Sequence, residues 1–84
     1  MERGLATTIG IDVECYAGYM GEQTPRAIQM AGGRIEVAEV VDQWLAPGHR
    51  YFKLLGKDGD TYLVRHDVVT GKWELTMFQR GGST

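Results

Sequence analysis

Four pairs of turn-forming residues, Gly32-Gly33, Pro47-Gly48, Asp58-Gly59 and Thr70-Gly71, divide the last two-thirds of the chain at nearly even intervals. The stretches between them are rich in Val, Ile, Leu, Tyr and Trp, which fit the pleated, half-buried surface of a sheet. Each pair is a hairpin signal, so the fold class is all-β. A small antiparallel meander of five to six strands is predicted, bent into an SH3-like or partly open barrel. Twelve glycines against two prolines agree with strands joined by tight turns. The best helical candidate is Ile35 to Leu45, where Ile35, Ala38, Val41 and Leu45 approximate helical spacing. Val37, Val40 and Val41 are β-branched, however, and no N-cap residue precedes them.

Two-residue turns convert directly into register. A type I′ turn at Asp58-Gly59 pairs Lys57 with Asp60. Leu55 then faces Tyr62, Lys53 faces Val64 and Tyr51 faces His66 on one side. Leu54 faces Leu63, Phe52 faces Arg65 and Arg50 faces Asp67 on the other. The same rule at Thr70-Gly71 puts Val68 opposite Trp73, His66 opposite Leu75 and Val64 opposite Met77. The predicted core face is therefore Tyr51, Leu55, Tyr62, Val64, Val68, Trp73, Leu75 and Met77, with Lys53 and His66 as polar exceptions. Pro47-Gly48 pairs Trp44 with Tyr51 and Asp42 with Lys53 on that same face. Strict alternation back from Trp44 would then expose Ile35, Val37 and Val41, so a β-bulge is expected between Ala38 and Val41. Gly32-Gly33 pairs Met30 with Ile35 and Ile28 with Val37. Ahead of it, Ile9, Ile11, Val13, Cys15 and Ala17 alternate with polar residues, giving a further strand to close or cap the sheet.

The chain of 84 residues holds one small domain, assigned to residues 9–79, with fraying ends at 1–8 and 80–84 and a loop from Gly18 to Pro25. Nine Lys and Arg against eleven Asp and Glu give a formal net charge of −2, so no global positive field draws in phosphate backbones or anionic membranes. Cys15 is the single cysteine. It has no disulfide partner within the chain, and residues from Met1 onward show no signal-peptide core, which implies a reducing, cytoplasmic setting. No apolar run is long enough to span a bilayer as a helix, so no membrane partner is expected.

No catalytic residue and no cofactor are expected. His66 and Asp67 are sequence neighbours, but neighbours in a strand point to opposite faces, so Asp67 does not orient His66 as a triad acid would. Cys15 in an alternating apolar strand reads as a small buried hydrophobe. His49 and His66 lie apart, and no Cys-x-x-Cys or His-x-x-x-His spacing offers a metal site. The glycines sit between strands, whereas phosphate-cradling loops lead into a helix. Two groups remain. Asp42, Lys53, His66 and Tyr51 form a candidate rim cluster. Arg50, Phe52, Leu54, Leu63, Arg65 and Phe78 form a half-apolar candidate interaction face, suited to packing within the chain or against a partner.

The segments Pro25-Arg26-Ala27-Ile28, Gly33-Arg34-Ile35-Glu36-Val37, Val40-Val41-Asp42-Gln43-Trp44, Arg50-Tyr51-Phe52-Lys53-Leu54, Tyr62-Leu63-Val64-Arg65 and Trp73-Glu74-Leu75 follow one another in an aromatic-rich meander. Over residues 25–78 this resembles a family of short bacterial cytoplasmic proteins of unknown function. The resemblance rests on core and turn positions, implies the fold, and carries over no catalytic or binding residues.

The expected function is that of a non-enzymatic small β-barrel interaction module, binding a protein partner or a second copy of itself. The alternative is a single-stranded nucleic-acid-binding barrel, suggested by Arg34, Arg50 and Arg65 interleaved with Tyr51, Phe52 and Tyr62. Acidic residues Glu39, Asp60, Asp67 and Glu74 intervene against it.

Overall fold

The computed structural model describes residues 9–16 and 24–81. The regular elements are strands β1 (Ile9–Tyr16), β2 (Thr24–Met30), β3 (Gly33–Ala46), β4 (His49–Gly56), β5 (Thr61–Asp67) and β6 (Trp73–Gln79). Each pairs antiparallel with the next, and β1 returns to pair with β6, so the meander closes into a barrel. Residues 35–45 are strand, as their β-branched content favours over helix. No helix among the described residues is long and apolar enough to cross a membrane. The expectations for residues 1–8 and 82–84, and for the loop through residue 23, lie outside the described residues. Thr24 and Pro25 open β2 and so belong to the sheet. Gly81 is anchored, its backbone N–H donating to Asp60 Oδ1 at 2.7 Å.

The four turns set four registers, two through two-residue turns and two through longer loops. Pro47-Gly48 is a two-residue turn, and Trp44 pairs with Tyr51 and Asp42 with Lys53 as expected. At the first turn Met30 pairs with Gly33 and Ile28 with Ile35, leaving Ala31 and Gly32 in the loop. At the last, Asp67 N–H donates to the Lys72 carbonyl at 2.8 Å and His66 pairs with Trp73, so the loop runs from Val68 to Gly71. Both registers are displaced by two residues from the expected ones. A displacement of two leaves every side chain on its own face.

The Asp58-Gly59 hairpin is displaced by one. Gly56 N–H donates to the Asp60 carbonyl at 2.8 Å, so Lys57, Asp58 and Gly59 form a three-residue loop. Gly59 takes the left-handed conformation, φ 90°, that ends a type I turn in a bulge. Leu54 pairs with Tyr62 and Phe52 with Val64. The whole of β4 is therefore inverted relative to expectation. Phe52 and Leu54 are in the core, whereas Tyr51, Lys53 and Leu55 stand on the other side of the strand.

The core is Ala27, Ile28, Phe52, Leu54, Tyr62, Val64, Trp73 and Leu75. Ile11, Val13, Cys15, Met30, Ile35, Val37 and Val40 pack around it, half-buried. Of the expected core, Tyr62, Val64, Trp73 and Leu75 are inside, while Val68 and Met77 are exposed. Val68 lies in the longer loop. Met77 is turned outward by a bulge in the β5–β6 ladder after Leu63, which pairs it with Leu63. The strand is irregular where a bulge is expected, but at two places, Val37/Glu39 and Val40/Asp42, whose parity changes cancel. Between them Val40 turns inward with Ile35 and Val37, whereas Trp44, following the inverted β4, faces out and does not share their interior as expected.

Candidate functional site

Inverting β4 dissolves both groupings drawn from the sequence and creates a different one. Of the expected interaction face, Phe52 and Leu54 are buried at 2% and 0% exposure and so are not available to a partner. Arg50 shares their side of β4. Leu63 and Arg65 are on the outer face. Phe78 is half-exposed, its ring packed against Tyr62 at 5.3 Å. Of the rim cluster, Asp42, Lys53 and Tyr51 are together on the outer face, but His66 is on the inner side of β5, stacked on Trp73 at 4.3 Å. The four do not converge. Asp67 also points away from His66: it accepts hydrogen bonds from the Val69 and Thr70 amides and lies 3.8 Å from His49 Nε2.

The outer surface of β3 to β6 instead carries two rows of cross-strand neighbours. In one, Trp44, Tyr51, Arg65 and Glu74 stand side by side on four strands, followed on β1 by Gly10. Trp44 and Tyr51 stack with centroids 5.4 Å apart and planes 2° from parallel. Arg65 Nε donates to Glu74 Oε1 at 2.6 Å. The Glu74 carboxylate, and after it the Tyr51 hydroxyl, push the Arg65 pKa upward, so this cation is permanent and already neutralised. The second row is Asp42, Lys53, Leu63 and Met77. Over the second row a groove of about 180 Å³ is lined by Trp44, Lys53, Thr61, Leu63, Met77 and Gln79. Trp44 and Met77 stand at 43% and 61% exposure beside it, large apolar side chains open to water.

Where the first row reaches Gly10 it has no side chain. A wider open groove of about 760 Å³ lies there, bordered by Asp12, Gln29, Lys72 and Glu74. Beyond it, the outer face is held by ordinary surface charge. Arg34 binds Glu14 and Glu36, and Lys57 binds Glu36 at 3.1 Å. The Arg34 guanidinium and the Gln29 amide hold the Glu14 carboxyl at about 2.

The polar groups lining the groove are the Lys53 ammonium, the Thr61 hydroxyl, the Gln79 amide and the Trp44 indole N–H. Cys15, half-buried against the core, has its thiol pKa raised by burial and is a poor thiolate. Among the described residues no three His, Cys, Asp or Glu side chains are grouped to hold a metal. What the arrangement offers is an apolar floor with an aromatic wall and a charge-paired margin.

Sequence reasoning missed Trp44 and Met77 as surface residues, yet a signal was present. The expected core face of residues 51–55 carried Lys53 between Tyr51 and Leu55 and set Asp42 beside Trp44. The alternative face, Phe52, Leu54 and Gly56, has its one charge, Arg50, at the end of the strand. Two charges on a core face mark an inverted register.

The fold and its surface define a small closed antiparallel β-barrel with an aromatic outer groove. No known protein family, curated protein or solved structure matches the chain.

Proposed function

We propose that the protein is a non-enzymatic interaction module that binds a protein partner, or a second copy of itself, through the outer face of β3 to β6. The groove between Trp44 and Met77, floored by Leu63, carries this reading. Trp, Tyr, Met and Arg are the residues enriched where proteins bury side chains against one another, and energetic anchors cluster in such apolar pockets inside a polar rim. Asp42, Lys53, Arg65 and Glu74 provide that rim. Lone Cys15 agrees with a reducing, cytoplasmic setting.

The nucleic-acid alternative has less support. Two of its three arginines, Arg34 and Arg65, are occupied by carboxylates. The Trp44 and Tyr51 rings stack on one another, covering faces that bases would use, and the net charge is −2.

A photo-crosslinking side chain at Met77, with Glu36 as control position, tests the proposal. A discrete protein adduct is expected at position 77 alone, competed by the unlabelled chain and lost with Trp44→Ala. Sedimentation then separates a foreign partner from self-association. The reading is overturned if position 77 gives no more adduct than position 36, or if the face responds instead to single-stranded oligonucleotides.

A further inference from the structure

At the end of the barrel where the β3–β4 hairpin meets the β5–β6 loop, four side chains from three strands close a ring of contacts. Arg50 and His66 are direct cross-strand partners. Both are on the core side of their strands, because Phe52 and Leu54 succeed Arg50 at period two, and Val64 and Tyr62 precede His66 in the same way. The Arg50 guanidinium carbon is 5.7 Å from the Phe52 ring centroid. Phe52 and Trp73 are 5.6 Å apart, and Trp73 stacks on His66 at 4.3 Å with 20° between planes. The Gly71 backbone fixes the imidazole by a hydrogen bond.

This ring lacks an acid. Among the described residues no carboxylate pairs with Arg50, whereas Arg34 and Arg65 each have one or more. Asp67, the acid nearest in sequence, is directed to the other face and is taken up by the Val69 and Thr70 amides and by His49. Two groups able to carry positive charge thus face each other on a half-buried surface. Such a pair is stable only if one stays neutral or if an anion joins them. His66 takes the first course in the free protein, since burial, and then the Arg50 charge, lower its pKa against the smaller opposing effects of the Gly71 backbone and the Asp67 charge. Beside Arg50 there is room for the second. A pocket of about 240 Å³ is lined by Gln43, Trp44, Leu45, Arg50, Tyr51 and Phe52. Gln43 shares the inner side of β3, being the cross-strand partner of Phe52.

The geometry points to an anion site at this end of the barrel, where Arg50 binds a small oxyanion, carboxylate or phosphate, with Gln43 as a neutral donor, while His66, the cross-strand partner of Arg50, stands outside the pocket and senses the anion through the Arg50 charge. Arg50 supplies the planar fork that fits either group. As the anion arrives, His66 takes a proton from solvent, so binding and protonation are coupled. Arg50 is on the inner side of β4, and the pocket shares Trp44 with the outer groove.

Titration of the full chain with inorganic phosphate, and in a second arm with acetate, at constant ionic strength set by chloride, tests this by NMR at His66 and the Trp73 indole. Saturable shifts are expected at both, with a rise in the His66 titration midpoint and no change at His49 on the opposite face. Saturation by phosphate alone assigns a phosphate ligand, and saturation by acetate as well assigns a carboxylate. Arg50→Gln is expected to weaken binding by about tenfold or more, given the strength of hydrogen bonds to charged groups. Gln43→Ala serves as a second variant, remote from the Trp73 stack, with a smaller loss. Linear, non-saturating shifts, equal shifts at His49, or an undiminished response in Arg50→Gln that retains native Leu54 and Val64 methyl signals would overturn the site.

Discussion

The Tyr62 hydroxyl donates a 2.5 Å hydrogen bond to the Asp58 carboxylate, joining a ring that is 2% exposed to a loop open to water. That bond holds the three-residue loop that inverts β4, and the burial of the ring and the nearby carboxylate push the phenol pKa upward. Tyr62→Phe leaves the packing intact and removes the bond. It is expected to lower stability by about 1–2 kcal/mol, and Asp58→Asn, which keeps an acceptor, by less. Urea unfolding measures both; equal stability of Tyr62→Phe and the parent would show that the bond contributes nothing.

The same corner explains why residue 56 is glycine. A Cβ there would lie 2.5 Å from Asp58 Oδ1 and 3.0 Å from both Ile35 Cγ2 and Tyr62 Cε1. Gly56→Ala is expected to cost about 1–3 kcal/mol through overpacking. In the Tyr62→Phe background Asp58 keeps only its bond from the Asp60 amide and yields more easily, so the two losses should be less than additive in a double-mutant cycle. Strict additivity would refute the shared corner.

Much of the fold is legible from turns and alternation because hairpins are local. The strand count and the Pro47-Gly48 register follow from residues a few positions apart, whereas the single parity change inferred near Ala38 to Val41 from an inward Trp44 is replaced by two irregularities that cancel. The inner assignments of Tyr62, Val64, Trp73 and Leu75 survive a two-residue displacement at Thr70-Gly71, since side chains alternate with period two. The assignment of Phe52 and Leu54 does not survive a one-residue displacement at Asp58-Gly59. Asp-Gly serves both a two-residue turn and a three-residue loop whose glycine is left-handed, and what selects the longer loop is tertiary. Gly81 reaches Asp60 from 21 residues away, a contact that no local pattern contains, while the Tyr62 to Asp58 bond spans only four residues within the hairpin itself. The candidate surface inherited that inversion, so the Trp44 groove emerged only with the three-dimensional register.

Core and groove should separate cleanly in unfolding experiments. Leu54→Ala removes a fully buried side chain and is expected to cost about 2–5 kcal/mol. Trp44→Ala removes the larger side chain but only its stack on Tyr51, for about 0.5–1.5 kcal/mol. A Trp44→Ala loss as large as that of Leu54→Ala would mean that Trp44 is structural and would remove it from the proposed interface.

His66 makes stability depend on pH near neutrality. Burial, then Arg50, lower its folded pKa below the ordinary 6.5, so the neutral ring is favoured in the folded state. Its contribution is present above 6.5 and is lost as pH falls through the lowered folded value. Stability between pH 7 and about 5 should therefore decline in the parent and flatten in His66→Phe, which keeps an aromatic ring against Trp73. An unchanged slope in the variant would assign the decline to other groups.

Glu14 gives the opposite test, in acid. Hydrogen bonds from Arg34 and Gln29 hold its carboxyl at about 2, against an ordinary 4.5. Its stabilising effect is full above 4.5 and disappears as pH falls toward 2. In Arg34→Gln the Glu14 midpoint, followed by NMR of the carboxyl carbon, should rise by about a unit or more. A midpoint unmoved by the substitution would break the link.

The barrel is closed by a ladder of three residue pairs, Ile9 with Leu75, Gly10 with Glu74 and Ile11 with Trp73. Every other ladder joins strands consecutive in the chain, so this one alone must bring distant segments together and is expected to form last and part first. Once it parts, the flanks of β1 and β6 present unpaired backbone donors and acceptors, the template on which foreign strands add. The durability of the protein in a crowded solution is therefore set less by its core than by the zip of Ile9 to Ile11, and heat should drive it to cross-strand aggregates by way of that zip before its hairpins melt.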